Sequence, residues 1–312
     1  MNKVNAIKRG KMKMNYKSYA LVGVCLAVVG GYLLSQKPVG AQVKTVQKIS
    51  NKAIDSDLKK LEKEYEATLG VYAIDTETNK TINYNGEQRF AFASTYKALA
   101  GGLVLDKFNW DELNQTMMIN QEYLVDYSPI TEKYVGIGMP LKDIIGAAME
   151  YSDNTAGNIL FDQLGGPAGF QKELEKLGDH TTESVRYEPE LNEAIPGDCR
   201  DTSTPKAIAL DLKKLTADKT LAPDKLTFYK KQLVENKTGG NLIRAGIPTD
   251  ILVGDKSGAA SYGTRNDIAV LYPPDRKPIV LVIFSNKTNK DDAYQDELIA
   301  KSAKLVGDYF KL

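Results

Sequence analysis

One histidine, His180, and two cysteines, Cys25 and Cys199, are all that the 312-residue chain holds of those residue types. A catalytic or structural zinc site draws on several imidazole or thiolate ligands, so metallo-hydrolysis is excluded and no metal or cofactor is expected. A Ser-His-Asp arrangement would have to use His180. That residue lies in the polar turn 178–182, and the chain has no Gly-x-Ser-x-Gly elbow, so His180 reads as a loop residue.

Acids are missing from residues 1–41, which carry seven Lys or Arg. Lys3, Lys8, Arg9, Lys11, Lys13 and Lys17 precede an apolar run over 20–34, shorter than the roughly 20 residues of a spanning helix. Val39-Gly40-Ala41 then supplies small residues. This is a secretory signal pattern, and it predicts cleavage after Ala41, a mature chain from Gln42 and secretion. Two alternatives stay open: lipidation at Cys25, although Val24 stands where such sites take Gly, Ala or Ser, or retention of an uncleaved N-terminal anchor. Either would attach the protein to a membrane.

Cleavage would leave 34 basic residues of the original 41 against all 40 acids, a net charge of −6, so nucleic acid is not an expected partner. It would also leave Cys199 without a disulfide partner, and stability must then come from the core.

Apolar spacing at Ile54, Leu58, Leu61 and Tyr65 predicts an amphipathic helix over 49–67. Strands are predicted over 69–75 and 80–85, joined by a polar turn. Helical pieces follow at 95–108, 141–151, 155–164, 170–177 and 205–216. Strands return at 251–254, 267–272 and 278–285, and a helix over 292–310 closes the chain. The economical assembly is a five-stranded antiparallel sheet built from both ends, with the terminal helices packed on one face. Residues 42–88 and 235–312 would form this α/β lobe and 89–234 an all-α lobe, with catalytic residues where the insert leaves and rejoins the sheet.

A hydrolase without usable His must activate its nucleophile with Lys or a carboxylate. Ser-x-x-Lys places both side chains on one helix face, and it occurs at Ser56/Lys59, Ser94/Lys97 and Ser203/Lys206. The first sits on the polar face of the opening helix, and the third precedes Pro205 at an ordinary helix start. Ser94 is different: the apolar segment Phe90-Ala91-Phe92-Ala93 delivers it into a first helical turn, whose free N–H groups favour developing negative charge. The bland alternative is that Ser94 merely caps that helix.

Two further motifs stand in order behind it. Ser152-Asp153-Asn154 joins two apolar helices, and Lys256-Ser257-Gly258 closes a short apolar strand in an edge setting against which a substrate amide could pair. Lys237-Thr238-Gly239 matches the same pattern but follows no strand, and is set aside. With the segment Arg186-Tyr187-Glu188-Pro189-Glu190-Leu191-Asn192 and Asp201, these motifs resemble those of class A serine β-lactamases over essentially the whole mature chain. The lysine-rich leader and the strand at 279–287 resemble Gram-positive members.

The resemblance implies a two-lobed fold shared with penicillin-binding proteins and a set of roles. Ser94 would attack the β-lactam carbonyl, with the backbone N–H groups of Ser94 and Ala259 holding the oxyanion. Lys97, or Glu188 through water, would take the serine proton. Ser152 would protonate the departing nitrogen, and Glu188 with Asn192 would hold the deacylating water. Asn154 would bind the substrate side-chain amide, and Asp153 would buttress its loop. Lys256, Ser257 and Arg265 would receive the substrate carboxylate, Gly258 would allow close approach, and Tyr127 would guard the entrance. A cis bond is implied before Pro189, and an Arg186–Asp201 bridge across the neck of the Ω loop 186–201. Penicillins and some cephalosporins are the implied substrates, antibiotic resistance the consequence and a monomer the expected state. The rival readings are a DD-peptidase, against which the 188–192 segment argues, and a sensor domain that acylates once.

Overall fold

The computed structural model describes residues 52–312; the leader, Cys25 and the junction at Gln42 lie outside the described residues. The opening helix α1 runs Lys52–Tyr65 and buries Ile54, Leu58 and Leu61, the predicted stripe. Strands β1 (Thr68–Asp75) and β2 (Thr81–Tyr84) follow, turned by Asp75, whose carboxylate accepts from the Glu77 N–H at 2.9 Å and the Thr78 hydroxyl at 2.8 Å. The C-terminal part supplies β3 (Leu252–Ala260), β4 (Thr264–Tyr272) and β5 (Ile279–Asn286), then a helix at Asp296–Phe310. The five strands form one antiparallel sheet in the order β2-β1-β5-β4-β3, with Thr68 paired to Asn286 and Asp75 to Ile279.

The sheet is apolar on both faces, because alternate residues enter two different cores. Leu69, Val71 and Ala73 of β1 join Leu281 and Ile283 of β5 beneath α1 and the last helix. Tyr72 and Ile74 join Val280, Val282 and Phe284 in the other core, which the helices of 96–234 complete. Those helices are α2 (Tyr96–Lys107), α3 (Leu141–Glu150), α4 (Asn154–Leu164), α5 (Gly166–Leu177), α6 (Pro205–Thr216) and α7 (Pro223–Val234); the terminal helix is α8. The five-stranded antiparallel sheet with terminal helices on one face is as the pattern predicts.

Several boundaries differ. The strand expected to end at 254 runs on to Ala260, so Lys256-Ser257-Gly258 lies inside an edge strand rather than at its close, held by pairs such as Lys256 with Ile268. Helix α5 begins at Gly166, four residues before the expected start, because Pro167 sits at its first turn, where no N–H is needed. Helix α7 is absent from the sequence expectation: it buries only Tyr229, Gln232 and Leu233 and has no sustained apolar stripe. The closing helix starts at Asp296 rather than 292.

Candidate active site

Ser94 lies in a 3-10 turn, Ala93–Thr95, that leads straight into α2. It does not cap the helix: the cap position is Thr95, and the 3-10 turn is entered from Phe92. Ala93 takes φ +47°, which turns the chain sharply ahead of the serine. Lys97, one turn on, reaches back to donate to Ser94 Oγ at 2.9 Å, while Ser94 Oγ donates to Glu188 Oε1 at 3.2 Å. Lys97 Nζ also donates to the Ser152 carbonyl at 2.8 Å and Asn154 Oδ1 at 2.6 Å, and lies 3.0 Å from Glu188 Oε1 with both side chains fully buried. Burial pushes the Lys97 ammonium pKa down, and the Glu188 charge opposes that shift.

The Ser152 segment is bent at φ +60°, which turns its carbonyl toward Lys97 and its hydroxyl toward Lys256, whose Nζ donates to Ser152 Oγ at 3.0 Å. Asp153 caps α4 through the Ala156 N–H at 2.8 Å and takes the N–H groups of Ile130 at 3.0 Å and Thr131 at 2.9 Å, fixing the loop that bears Tyr127. Asn154 ties in the same loop by donating to the Asp126 carbonyl at 2.8 Å. Lys256 is completely buried, and its pKa falls to about 7, chiefly through burial and then through the Lys97 charge.

Glu188 is held at both backbone ends by one side chain: Asn158 donates to its carbonyl at 3.0 Å and accepts from its N–H at 2.8 Å. The Glu188-Pro189 bond is cis. Asn192 Nδ2 donates to Glu188 Oε2, whereas the buried Asn192 Oδ1 has no protein partner. The Ω loop is closed by buried Asp201, which accepts from the N–H groups of Val185 at 2.8 Å and Arg186 at 2.9 Å and from Arg186 Nε at 2.5 Å.

A cleft of about 370 Å³ opens above this cluster, lined by Ser94, Tyr127, Ser152, Asn154, Asn192, Ser257, Gly258, Ala259 and Arg265 from the expected set. Lys97, Glu188 and Lys256 do not line it; they stand behind Ser94 and Ser152, shielded from water. Tyr127 is 61% exposed at the rim with φ +62°. A Cβ on Gly258 would meet Ala93 Cβ and the Phe92 carbonyl at 3.2 Å, so the glycine lets β3 approach the nucleophile turn. Arg265, on β4 opposite Ala259, is aimed by Asp296 Oδ1 at 2.7 Å and by the Tyr294 ring, 4.7 Å away.

Four contributors escaped the sequence reading. Thr238, set aside with its Lys-Thr-Gly triplet, lines the cleft and shares a hydroxyl contact with Ser257 at 2.6 Å; Asn236 Oδ1 orients it, accepting from its N–H at 3.0 Å and its hydroxyl at 2.8 Å. Asn158 could have been found, since it lies four residues beyond Asn154 on the same helix face. Tyr294 and Asp296, in the segment read as uniform helix, carried no signal. The decoys are remote from this chemistry: Ser56 and Lys59 are exposed, and Lys206 pairs with Glu87. His180 and Cys199 are exposed too.

Such a cluster can transfer a proton away from a buried serine hydroxyl, while Arg265 and the Ser257 and Thr238 hydroxyls give the cleft an anion-accepting wall. Residues 53–310 match the model of the beta-lactamase enzyme family. The chain is 50% identical over 303 residues to Beta-lactamase 1 of Bacillus cereus, covering 95% of this chain and 99% of that protein. It is 49% identical to a Beta-lactamase of Bacillus subtilis, covering 95% and 98%. Among solved structures, the class A beta-lactamase from Clostridium kluyveri superposes with a TM-score of 0.83 at 45% identity, covering 84% of this chain and all of that one.

Proposed function

The chain belongs to the class A serine β-lactamases and hydrolyses β-lactam antibiotics, conferring resistance, and on that premise we propose how its own residues carry the reaction. The reading rests above all on Ser94 Oγ standing between Lys97 Nζ and Glu188 Oε1.

Ser94 Oγ attacks the lactam carbonyl. Lys97, as an ammonium with its donors committed to Ser94, Ser152 and Asn154, has no lone pair to offer, so the acceptor in reach of the serine proton is Glu188, directly or through water. The N–H groups of Ser94 and Ala259 hold the oxyanion. Ser152, donating onward to the lactam nitrogen as Lys256 donates to it, completes ring opening. Ser257, Thr238 and Arg265 receive the substrate carboxylate, with the charge of Lys256 behind them, and Asn154 takes the side-chain amide. Once the proton that Glu188 took from Ser94 has replaced, by way of water, the one that Ser152 gave up, Glu188 is again a carboxylate. It draws a proton from a water that also donates to Asn192 Oδ1, the oxygen of that water attacks the ester carbonyl, and the proton passes to Ser94 Oγ as the ester C–O bond breaks, which frees Ser94.

Penicillins and some cephalosporins are the substrates this site suits. The protein acts as a secreted monomer cut after Ala41, and neither metal nor nucleic acid takes part. Finding Gln42 at the N-terminus of exported protein would exclude lipidation and anchoring. The direct test of the mechanism follows benzylpenicillin hydrolysis by protein from Gln42 onward over many equivalents. Sustained turnover is expected. A one-equivalent burst that stalls would make the chain a penicillin-binding protein or sensor and remove the role given to Glu188.

A further inference from the structure

A second cleft, of about 470 Å³, lies between α4 and the segment 117–125, outside the catalytic cleft. Thr155, Asn158, Ile159 and Asp162, spaced three and four apart, present one face of α4 to it. Met117, Met118, Ile119, Tyr123, Val125 and Tyr187 give it apolar and aromatic walls. Three of these are large side chains left in solvent, with Met118 at 56%, Tyr123 at 59% and Tyr187 at 38% exposure. Adjacent exposure of this kind marks a binding surface more often than a scattered Leu or Val does. Methionine walls also adapt readily to a guest.

The charge of the lining is one-sided. Glu122 and Asp162 contribute carboxylates, and no Lys or Arg lines the cleft. Two tyrosine rings stand beside those acids, a combination that favours a cation carried on an apolar body. We propose that this cleft binds small organic cations, an ammonium head on an aryl or alkyl body, with the head between Asp162 and Glu122 and the body against Met117, Met118 and Ile159.

Its walls reach the reaction centre through two side chains. Asp162 Oδ1 accepts from the Tyr187 hydroxyl at 2.8 Å, and Tyr187 immediately precedes Glu188. Asn158 holds both backbone ends of Glu188. An ammonium competing for Asp162 loosens the Tyr187 tether, so occupancy slows deacylation, which has no base but Glu188, more than acylation, in which Lys97 also reaches Ser94 Oγ. This kinetic half rests on the role proposed for Glu188; the binding half does not.

The test titrates 4-phenylbutylammonium, with 4-phenylbutan-1-ol as neutral control, into protein from Gln42 onward carrying 13C-methyl methionine. That chain holds only Met117, Met118, Met139 and Met149; Met139 pairs with Met117 across a short ladder, and Met149, buried in the helical core, serves as the internal reference. Saturable shifts at Met117 and Met118 with none at Met149 are expected, with the alcohol weaker by about tenfold and the Glu122→Gln/Asp162→Asn double variant weakening the amine by a similar factor. Equal binding of amine and alcohol, or no selective shift at millimolar amine, overturns the site. In benzylpenicillin hydrolysis, saturating amine should lower kcat and KM together, with kcat falling several-fold more than kcat/KM. A fall in kcat/KM as large as that in kcat, or no kinetic change with the site occupied, overturns the coupling while binding stands. A chain that binds the amine yet fails to turn over penicillin would fault the reading of Glu188 instead.

Discussion

Replacing Glu188 with alanine should separate the two halves of the reaction. Lys97 Nζ and Glu188 Oε1 lie 3.0 Å apart with neither side chain exposed, and stranding one charge of a buried pair ordinarily costs about 3–5 kcal/mol. Lys97 has an escape. Burial already lowers its pKa, and the variant removes the carboxylate that opposes the shift, so Lys97 can shed its proton. The expected loss is therefore nearer that of a single unsatisfied buried partner, about 1–3 kcal/mol, and the variant should fold. A neutral Lys97, still 2.9 Å from Ser94 Oγ, can then take the serine proton, so acylation persists at a reduced rate. Deacylation has no such substitute, because Asn192 holds the water but cannot accept its proton. Loss of a general base slows that step by about 10²–10⁴-fold. Mass spectrometry of quenched mixtures should show the protein shifted by one intact benzylpenicillin while the parent shows little adduct. Turnover by the variant at the parental rate would refute the assignment of the water to Glu188. Failure to acylate at all would refute the escape route through Lys97.

Three other outcomes follow from the same geometry. Lys256 has its pKa at about 7, so it is an ammonium below that pH and neutral above it; kcat/KM for carboxylate-bearing substrates should fall as pH rises past about 7, and Lys256→Gln should lower the plateau and abolish the limb. A methyl on Gly157 would sit 2.4 Å from Tyr96 Oη and 2.6 Å from Lys97 Cε, so Gly157→Ala should cost about 1–3 kcal/mol in thermal unfolding and slow the acylation burst by displacing Lys97. Buried Asp211 is held well above the ordinary carboxylate range by burial and by the neighbouring Asp179. Its contribution is complete only below the ordinary carboxylate pKa and is lost as pH rises from there through the raised folded-state value, so Asp211→Asn should flatten the decline of the melting temperature across that window; an unchanged decline would place its cause elsewhere.

The sheet was legible because it is buried on both sides: runs such as Val280-Leu281-Val282-Ile283-Phe284 admit few alternatives to a central strand. The catalytic cluster was legible because its members sit at fixed short spacings, Ser94 to Lys97 and Ser152 to Asn154, and because a known pattern supplied the rest. What escaped was set by tertiary contact. Helix α7 buries too few apolar residues to announce its period. Thr238 belongs to the cleft only because an Asn236 turn swings its hydroxyl onto Ser257, and no rule about strands preceding Lys-Thr-Gly anticipates that turn. The extension of β3 through Ala260 depends on pairing with Thr264 and Arg265 across a turn, at residues whose own composition is too small and polar to read as strand.

The sheet also sets a schedule. Its second and third strands in spatial order are the first and last in the chain, and Thr76 bonds to Pro278 across 202 residues of sequence. Until β5 is made, no strand joins β1 to β4, and the edge carrying Lys256 meets the turn carrying Ser94 without the sheet to hold the two in register. Contacts so remote in sequence form slowly. A chain still short of its last strand is thus a nucleophile without an enzyme around it. Activity arrives when the last strand slots into the middle, so the completion of the sheet, rather than the synthesis of Ser94, sets when the first antibiotic molecule can be destroyed.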